Sequence, residues 1–427
     1  MTKIGIPFAK WDDPGDFDAI VIGSGIGGLG AAALLAKHGG RKVLVLERHT
    51  TAGGFTHTFT RKDWEWDVGV HYIGQVHHEG SMLRRLFDDV TDGNLQWEPM
   101  GEVYDTVVIG GDRWDYLSGR ENWRQRMHSY FPAETEAIDR FLDLVSEATR
   151  SARGFFAEKA MPGIPSLLIG PWMRRGFLRH SDRTLGEVLD TLTTDPTLKA
   201  VLAAQFGDHG LPPAQASFAI HAMIFNHYLG GAAYPVGGSA NIARTVAPVI
   251  EATGSAIVIG AEVASVLVEN GRAAGVRMSK GGEIRAPLVL SDAGVPNTAH
   301  RLLPEGAPGR DALLATLKHT ARSASHICLY VGLDSTDRDL GIDRSNLWVY
   351  HSADQDGDIQ RFLDDPDAPL PLIYISFPSS KDPDFSRRYP GKATIEIVSI
   401  APYDLFRDWE DTRWMKRGEE YTNLKED

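Results

Sequence analysis

Residues 18–47 of the chain read DAIVIGSGIGGLGAAALLAKHGGRKVLVLE. The apolar run at 18–22 predicts a strand, residues 26 to about 38 predict a helix, and the apolar run at 43–46 predicts a second strand. Between the first strand and the helix stand three glycines in the spacing Gly-x-Gly-x-x-Gly. All these signals fall in register within about 30 residues, which is typical of a dinucleotide-binding βαβ unit.

Each residue type in this unit has a physical reason to be there. Gly23 permits the tight turn from strand to helix, Gly25 leaves room for the pyrophosphate, and Gly28 lets the helix pack closely on the strand. The free N–H groups at the helix N-terminus favour phosphate. Glu47, at the end of the second strand, is placed to accept hydrogen bonds from ribose hydroxyls. An ordinary βα turn is the alternative interpretation, but it does not explain why the second strand ends in the acidic residue Glu47.

Composition sets the protein class. The chain has 427 residues, of which 42% are hydrophobic and 24% charged, as in a globular protein of two or three domains. The net charge of −13 argues against nucleic acid as a general partner. The single cysteine, Cys328, excludes an intramolecular disulfide, and the strand around it is expected to be buried. We expect a cytoplasmic protein, because the first residues do not read as a signal peptide and no apolar run approaches 18 residues.

Short apolar segments with turn signals follow further along the chain. A helix is expected after Ser239, which is a plausible N-cap. Strands are expected at 256–259, 263–269, 274–278 and 288–291, and again at 325–332, 372–377 and 393–400. The pair Asn270-Gly271 predicts a hairpin turn between two of them.

Four further motifs carry a resemblance to a known family. They are RHTTAGG at 48–54, DWEWDVGVHYIG at 63–74, YPVGGS at 234–239 and FPSSKDP at 377–383. With these the chain resembles the two-dinucleotide-binding-domain flavoproteins, and within them the phytoene desaturase, carotenoid isomerase and retinol saturase group. The resemblance covers nearly the whole chain.

The resemblance implies an α/β fold, in which a Rossmann-like FAD-binding domain carries an inserted α+β substrate domain. The FAD-binding domain would comprise residues 1–105 and 236–319, and the substrate domain residues 106–235 and 320–427. The cofactor would be FAD. Beyond the glycines and Glu47, the matching positions that the resemblance assigns to the flavin site are Arg48, Gly53, Gly54, Asp67, Gly69 and Val263.

The same resemblance implies chemistry on carbon–carbon double bonds of an apolar polyene, retinoid, carotenoid or lipid. Saturation, desaturation and isomerisation all remain open. His71 and Tyr72 are the candidates for proton handling, since His suits proton transfer near neutral pH; the alternative for His71 is a packing role. No metal site is expected, because His77-His78-Glu79 lacks a further ligand at suitable spacing.

Two rival functions stay open at this point. One is a flavin amine oxidase of the same superfamily. The other is a non-catalytic remnant or assembly partner. It arises because relatives close the flavin site with a C-terminal strand and glycine-rich turn, whereas residues 401–427 are charged. On that ground the chain alone is expected to hold flavin weakly.

Residues 161–180 combine apolar side chains with three arginines. Such a segment suits docking on a membrane surface, from which an apolar substrate enters. A core segment with a solvated basic end is the alternative. The oligomeric state is not predicted by any of these patterns.

Overall fold

The computed structural model describes residues 3–12, 15–320, 325–412 and 416–426. Within these residues the strands, in chain order, are β1 (Ile6–Pro7), β2 (Ala19–Ile22), β3 (Val43–Glu47), β4 (Thr58–Arg61), β5 (Trp64–Asp67), β6 (Ile73–Gly74), β7 (Trp97–Pro99), β8 (Val103–Ile109), β9 (Asp112–Leu117), β10 (Ala232–Pro235), β11 (Ala256–Ile259), β12 (Val263–Glu269), β13 (Arg272–Met278), β14 (Glu283–Arg285), β15 (Leu288–Ser291), β16 (Ser325–Leu333), β17 (Asn346–Tyr350), β18 (Leu372–Ser376) and β19 (Ala393–Ala401).

The α-helices over the same residues are α1 (Ile26–Lys37), α2 (Met82–Val90), α3 (Arg120–Tyr130), α4 (Thr135–Lys159), α5 (Gly163–Ser181), α6 (Leu185–Asp190), α7 (Pro196–Ala203), α8 (Phe218–Tyr228), α9 (Ala240–Glu251), α10 (Val295–Asn297), α11 (Arg310–Leu317), α12 (Asp337–Leu340), α13 (Gln355–Asp364), α14 (Pro378–Lys381), α15 (Phe385–Arg388) and α16 (Glu419–Glu426). No helix in these ranges is long and apolar enough to cross a membrane.

A parallel sheet in the order β1-β11-β3-β2-β15 organises the first part of the fold. Ile20 pairs with Leu44 on one side and with Val289 on the other. The central strands are buried on both faces, which explains their unbroken apolar sequence. Helices α1 and α9 pack on one face, and the antiparallel sheet β12-β13-β14 packs on the other. The predicted α/β Rossmann-like class is confirmed.

A second, mixed sheet runs in the order β16-β19-β18-β17-β8-β9. Helices α3, α4, α6, α7 and α8 cover it, and aromatic side chains fill the space between them. Phe225 of α8 meets Trp123 of α3 and Phe141 of α4 edge-on, with ring centroids 5.0 and 5.1 Å apart. This layer places β5, β19 and α14 beside the first sheet, where the candidate site lies.

Most predicted strands lie within one or two residues of the observed ones. The Asn270-Gly271 turn is confirmed: Glu269 pairs with Arg272, and both turn residues have positive φ, 50° and 74°. Helix α9 begins after Ser239 as predicted, but the Ser239 hydroxyl does not cap the helix. It donates to Asp67 Oδ1 at 2.5 Å, because a buried carboxylate is the stronger acceptor.

The expected burial of the strand around Cys328 is wrong. Strand β16 is at an edge of the mixed sheet, and Ile327 and Leu329 are exposed. An apolar run cannot by itself distinguish an edge strand from a central one. Cys328 is half-buried, and burial raises the pKa of its thiol to about 11, so it is a poor nucleophile.

Candidate active site

The glycine-rich turn joins β2 to α1 in the geometry that its sequence predicts. Gly23 has φ of +99°, a conformation that favours glycine, and its N–H donates to Leu46 O at 2.9 Å. A Cβ on Gly28 would be only 2.5 Å from Gly23 O, so only glycine fits there. Gly25 is the N-cap of α1, and the free N–H groups of the first helical turn therefore face the cleft.

A cleft of about 710 Å³ opens in front of this turn. Its lining comes from the turn, from the ends of β3 and β15, and from the start of β12: Ile22, Gly23, Ser24, Gly25, Ile26, Gly27, Leu46, Glu47, Arg48, Gly54, Phe55, Thr56, Val70, Ala261, Glu262, Val263, Ala264, Ser279, Asp292, Ala293, Asn297, Arg301 and Leu302. The carboxyl ends of parallel strands are where such sheets bind ligands.

Glu47 is held rigidly at the end of β3. Its Oε2 accepts hydrogen bonds from Ser24 N at 2.9 Å and Ser24 Oγ at 2.7 Å, and its Oε1 accepts one from His49 N at 2.7 Å. A carboxylate has about four acceptor positions, so one remains for a ligand hydroxyl. The carboxylate of Glu47 is therefore fixed in orientation at the edge of the cleft.

A second glycine pair presses against the first turn. Gly53 N donates to Ser24 O at 3.1 Å, and Gly54 approaches so closely that a Cβ on it would be 2.8 Å from Gly25 Cα. Phe55 follows and projects into the cleft with 77% of its surface exposed. Its ring lies against Gly69, where a Cβ would be 2.9 Å from Phe55 Cδ1.

The remaining predicted cofactor residues fall in two places. Arg48 and Val263 line the cleft. Asp67 is instead buried behind the cleft, where Tyr234 OH donates to its Oδ2 and Ser239 donates to its Oδ1. Sequence reasoning missed Phe55, Asp292, Asn297 and Arg301 as lining residues. The last three follow β15, so the rule that sites form at strand ends was the available signal.

His71 lies one residue beyond the cleft residue Val70. Its Nδ1 is 2.8 Å from Glu396 Oε2, its ring is 5.2 Å from that of Tyr374, and 17% of its side chain is exposed. Burial lowers the pKa of His71 to about 4, and the positive charge of Lys381 adds to this effect. At neutral pH the ring is therefore uncharged.

Tyr72 points away from His71 into the aromatic core. Its hydroxyl donates to Asp105 Oδ2 at 2.9 Å, and its ring stacks on Tyr228 at a centroid distance of 4.3 Å. Burial raises the pKa of Tyr72 well above 10. The two residues predicted to handle protons thus occupy different surroundings, and Tyr72 is held as a neutral hydrogen-bond donor.

A buried lysine, which the sequence reasoning did not single out, joins these two residues. Lys381 is 1% exposed, and its Nζ donates to His71 O at 3.0 Å, to Ser376 Oγ at 2.6 Å and to Asn346 Oδ1. Asn346 in turn donates to Asp105 Oδ1 at 2.9 Å. Burial lowers the pKa of Lys381 to about 8. The motif FPSSKDP contained this lysine, but nothing in the sequence indicated its partners.

The cleft fits a dinucleotide on its own geometry. Cβ atoms on Gly25 and Gly27 would lie 2.6 and 2.8 Å from the carboxylate of Asp292, so both glycines keep a narrow passage open. Free helix N–H groups border that passage, and the clamped carboxylate of Glu47 lies beside it. The exposed Phe55 adds an apolar end to the cleft.

Comparison with known proteins agrees with this description. Residues 21–90 match the family model of an NAD(P)-binding Rossmann-like domain. All-trans-retinol 13,14-reductase of Danio rerio is 38% identical over 432 residues, which cover 97% of this chain and 70% of that protein. The chain belongs to the all-trans-retinol 13,14-reductase family. The family assignment makes it an oxidoreductase acting on CH–CH groups, as the sequence predicted.

Two further matches place the family in context. Prolycopene isomerase 1 of an Oncidium hybrid cultivar is 30% identical over 71% of this chain and 52% of that protein. A solved structure of a putrescine oxidase double mutant has a TM-score of 0.59 at 14% identity, covering 94% of this chain and 79% of that one. At that identity the second match shows a shared fold alone, so the 13,14-reductase family, and not the amine oxidases, defines the chemistry.

Proposed function

We propose that the protein is an FAD-dependent oxidoreductase that saturates, desaturates or isomerises carbon–carbon double bonds of a retinoid or carotenoid. The observation that carries the proposal is that His71 directly follows a residue that lines the cleft. Val70 lines the cleft that fits a dinucleotide, and the next residue, His71, carries an imidazole that is 17% exposed. A group able to hold or move a proton therefore follows directly on the cleft lining in the chain.

The chain offers a contact for each part of the cofactor. Glu47 would hold the adenosine ribose, the turn at Gly23, Gly25 and Gly28 the pyrophosphate, and the start of β12 at Val263 the adenine. Arg48, Gly53, Gly54, Phe55 and Gly69 would border the remaining part of the cofactor, while Asp67 fixes the backbone behind it. When bound, FAD supplies or accepts the hydride of the reaction.

The substrate class rests on two relatives, one named for retinol and one for prolycopene. Both names describe apolar polyenes. In this chain the ring of Tyr374 lies 5.2 Å from that of His71, and it packs with Trp348 in the same aromatic core as Tyr72 and Tyr228. This packing keeps water away from one side of the imidazole.

Product mass separates the three reactions that the site allows. Purified protein is loaded with FAD, and the flavin is reduced or left oxidised. It is then incubated without oxygen with all-trans-retinol or with prolycopene. Chromatography with mass detection would show a gain of two hydrogens for saturation, a loss of two for desaturation and a shifted retention at constant mass for isomerisation. Putrescine is the control substrate for amine oxidation. Unchanged polyenes under all conditions would contradict the proposal.

We also propose that helix α5 rests on a lipid bilayer. Its outer face exposes Ile164, Leu167, Leu168 and Trp172, which are 75%, 77%, 75% and 81% accessible. Arg175 and Arg179 stand toward the end of the same helix, where they would meet lipid phosphates. The alternative, that these apolar residues form part of the core, is wrong for this face, because its large side chains are exposed. Phe177 alone among its large aromatic residues points inward, against Phe155.

Sedimentation with vesicles containing phosphatidylserine tests this surface. The variant Leu168→Ser/Trp172→Ser should lose most of the binding, since two large apolar side chains no longer enter the bilayer. Met82→Ser is the matched control, because Met82 is 83% exposed but lies on α2. Equal sedimentation of the double variant and the control would remove the idea.

A further inference from the structure

Two buried polar atoms face each other where His71 meets strand β19. His71 Nδ1 and Glu396 Oε2 are 2.8 Å apart, and neither has a well-directed hydrogen-bond partner elsewhere among the described residues. Two bare lone pairs at that distance in a dry interior would repel each other. A proton must therefore lie on one of the two atoms, and its position decides what the imidazole can do.

Charge balance assigns that proton to Glu396. Three carboxylates, Asp67, Asp105 and Glu396, share the site with one cation, Lys381, so at least one carboxylate is uncompensated. Burial and the charge of Glu396 raise the pKa of Asp67 to about 7, but the hydrogen bonds that its two oxygens receive from Ser239 and Tyr234 stabilise the ionised form. Glu396 receives one, from Asp67 N at 2.6 Å, and none on Oε2.

The surroundings of Glu396 support the neutral acid. Its side chain is fully buried, and burial raises its pKa to about 8. The titratable groups that face it are Asp67 on β5, His71 after β5, Tyr234 on β10, Lys381 on α14, and Cys328 and Tyr330 on β16. Of these, Lys381 alone is cationic at neutral pH, and it is already shared with Asp67 and Asp105.

A protonated Glu396 fixes the tautomer of His71. Nδ1 then accepts the Oε2–H hydrogen bond, and the ring proton resides on Nε2. Nε2 has no hydrogen-bond partner among the described residues, and the ring keeps its 17% exposure. The neutral imidazole thus presents its Nε2–H as a donor. A second proton lies on Glu396 Oε2, which is hydrogen-bonded to Nδ1.

We propose that Glu396 is a positioning residue that stores the proton for the reaction and delivers it through His71. The inference rests on the proposed function. In the saturating direction one alkene carbon receives a hydride, and the Nε2–H proton bonds to the other carbon. The Oε2–H proton moves to Nδ1 as this occurs. His71 remains neutral, and Glu396 is left as the carboxylate, to be reprotonated from water. In the desaturating direction the same protons move in reverse.

The variant Glu396→Gln separates storage of the proton from simple structure. Its amide can still donate to Nδ1 and keep the tautomer, but it cannot release a proton. The rate of the protonation step should fall by about 100-fold. The wild-type rate should decline on the alkaline side of neutral, whereas the residual rate of the variant should not depend on pH between 6 and 9. Glu396→Asp, which keeps a titratable acid, should restore part of the rate and the alkaline decline.

A second readout does not need the cofactor or the substrate. In protein labelled with ¹⁵N-histidine, the His71 resonances are identified by their loss in His71→Gln. We expect protonated Nε2 and unprotonated Nδ1 from pH 5 to 7. A proton on Nδ1, or titration near pH 6.5, would overturn the inference even if polyenes are reduced. So would an unchanged rate and pH profile in Glu396→Gln. If the wild type converts no polyene but shows the expected tautomer, the proposed function fails and the assignment of the proton stands.

Discussion

Two glycines five residues apart in the chain do different work. Gly25 stands where a ligand must pass, and a Cβ there would be 2.6 Å from the end of the Asp292 side chain, which can move. Gly30 lies in α1, and a Cβ there would meet nothing within 4 Å. The contrast provides a matched pair of substitutions in one helix.

Gly25→Val should weaken dinucleotide binding by at least about 100-fold, roughly 2.7 kcal/mol, because the branched side chain fills the phosphate passage. Gly30→Ala should leave the affinity unchanged and stabilise α1 by about 0.5–1 kcal/mol. Titration of each variant with FAD, followed by flavin fluorescence, measures the affinity. Wild-type affinity in Gly25→Val would show that the pyrophosphate lies elsewhere.

The proton on Glu396 also predicts a pH dependence of stability. The folded pKa of about 8 is above the ordinary 4.5, so the stabilising contribution is full below about pH 4.5 and is lost as pH rises through 8. Glu396→Gln stays neutral throughout. Between pH 5 and 8 the Tm of the wild type should therefore fall relative to that of the variant by several degrees, at about 2 °C per kcal/mol. A constant difference in Tm across this range would contradict a raised pKa.

At the scale of single residues, the sequence predicted the part of the site whose residues lie close together in the chain. Gly23 to Glu47 form one continuous unit, so their spacing alone defines their geometry. Glu396 and Lys381 come together with Asp67 and His71 from positions more than 300 residues apart. No periodic pattern in the sequence indicates that residues so far apart in the chain will meet in the fold. The only local sign of this cluster in the sequence was the glutamate inside the apolar strand β19, Glu396. Its role in the reaction remains a proposal.

At the scale of elements, α5 shows how one helix serves two surroundings. Phe177 is 4% exposed and packs on Phe155 at 4.5 Å, whereas Trp172 is 81% exposed. Both were expected to contribute to a membrane face. The helical period separates them, because five residues correspond to a rotation of about 140°.

Substitution of each aromatic residue by serine should give opposite results. Phe177→Ser should destabilise the protein by roughly 3–5 kcal/mol, because it leaves a cavity and a buried hydroxyl. Trp172→Ser should change the free energy of unfolding by no more than about 0.5 kcal/mol. Urea denaturation of the two variants measures both values. Similar losses in the two would mean that α5 packs differently from the arrangement described.

Elements with their own turn chemistry were predictable, whereas those defined by distant neighbours were not. The β12–β13 hairpin follows from Asn270-Gly271, which supplies two positive φ angles. Whether β16 is central or at an edge depends on β19, more than 60 residues later. Ser239 likewise had the sequence of a cap but found a better acceptor in Asp67.

For the whole molecule, the cleft joins segments that are distant in sequence, so its occupancy should stabilise them together. FAD at about 100 times its dissociation constant would add about 2.7 kcal/mol, which corresponds to several degrees in Tm. Gly25→Val should show no such shift at the same concentration. Differential scanning fluorimetry with an external dye, read outside the flavin emission, measures both.

The division at residues 105, 235 and 319 into two domains remains a proposal, which limited proteolysis with and without FAD would test.

The interleaving of the parallel sheet has a consequence for how the protein is made. Strand β2 lies between β3 and β15, and β3 lies between β2 and β11. On the ribosome, β2 and β3 emerge before their outer partners, and β11 and β15 begin about 210 and 240 residues after the end of β3. At roughly 5–20 residues per second, the nascent chain carries two apolar strands with open edges for about 12–50 seconds. The cleft at the ends of these strands is therefore completed late in translation, and the βαβ unit that is easiest to find in the sequence is among the last parts of the sheet to receive its neighbours.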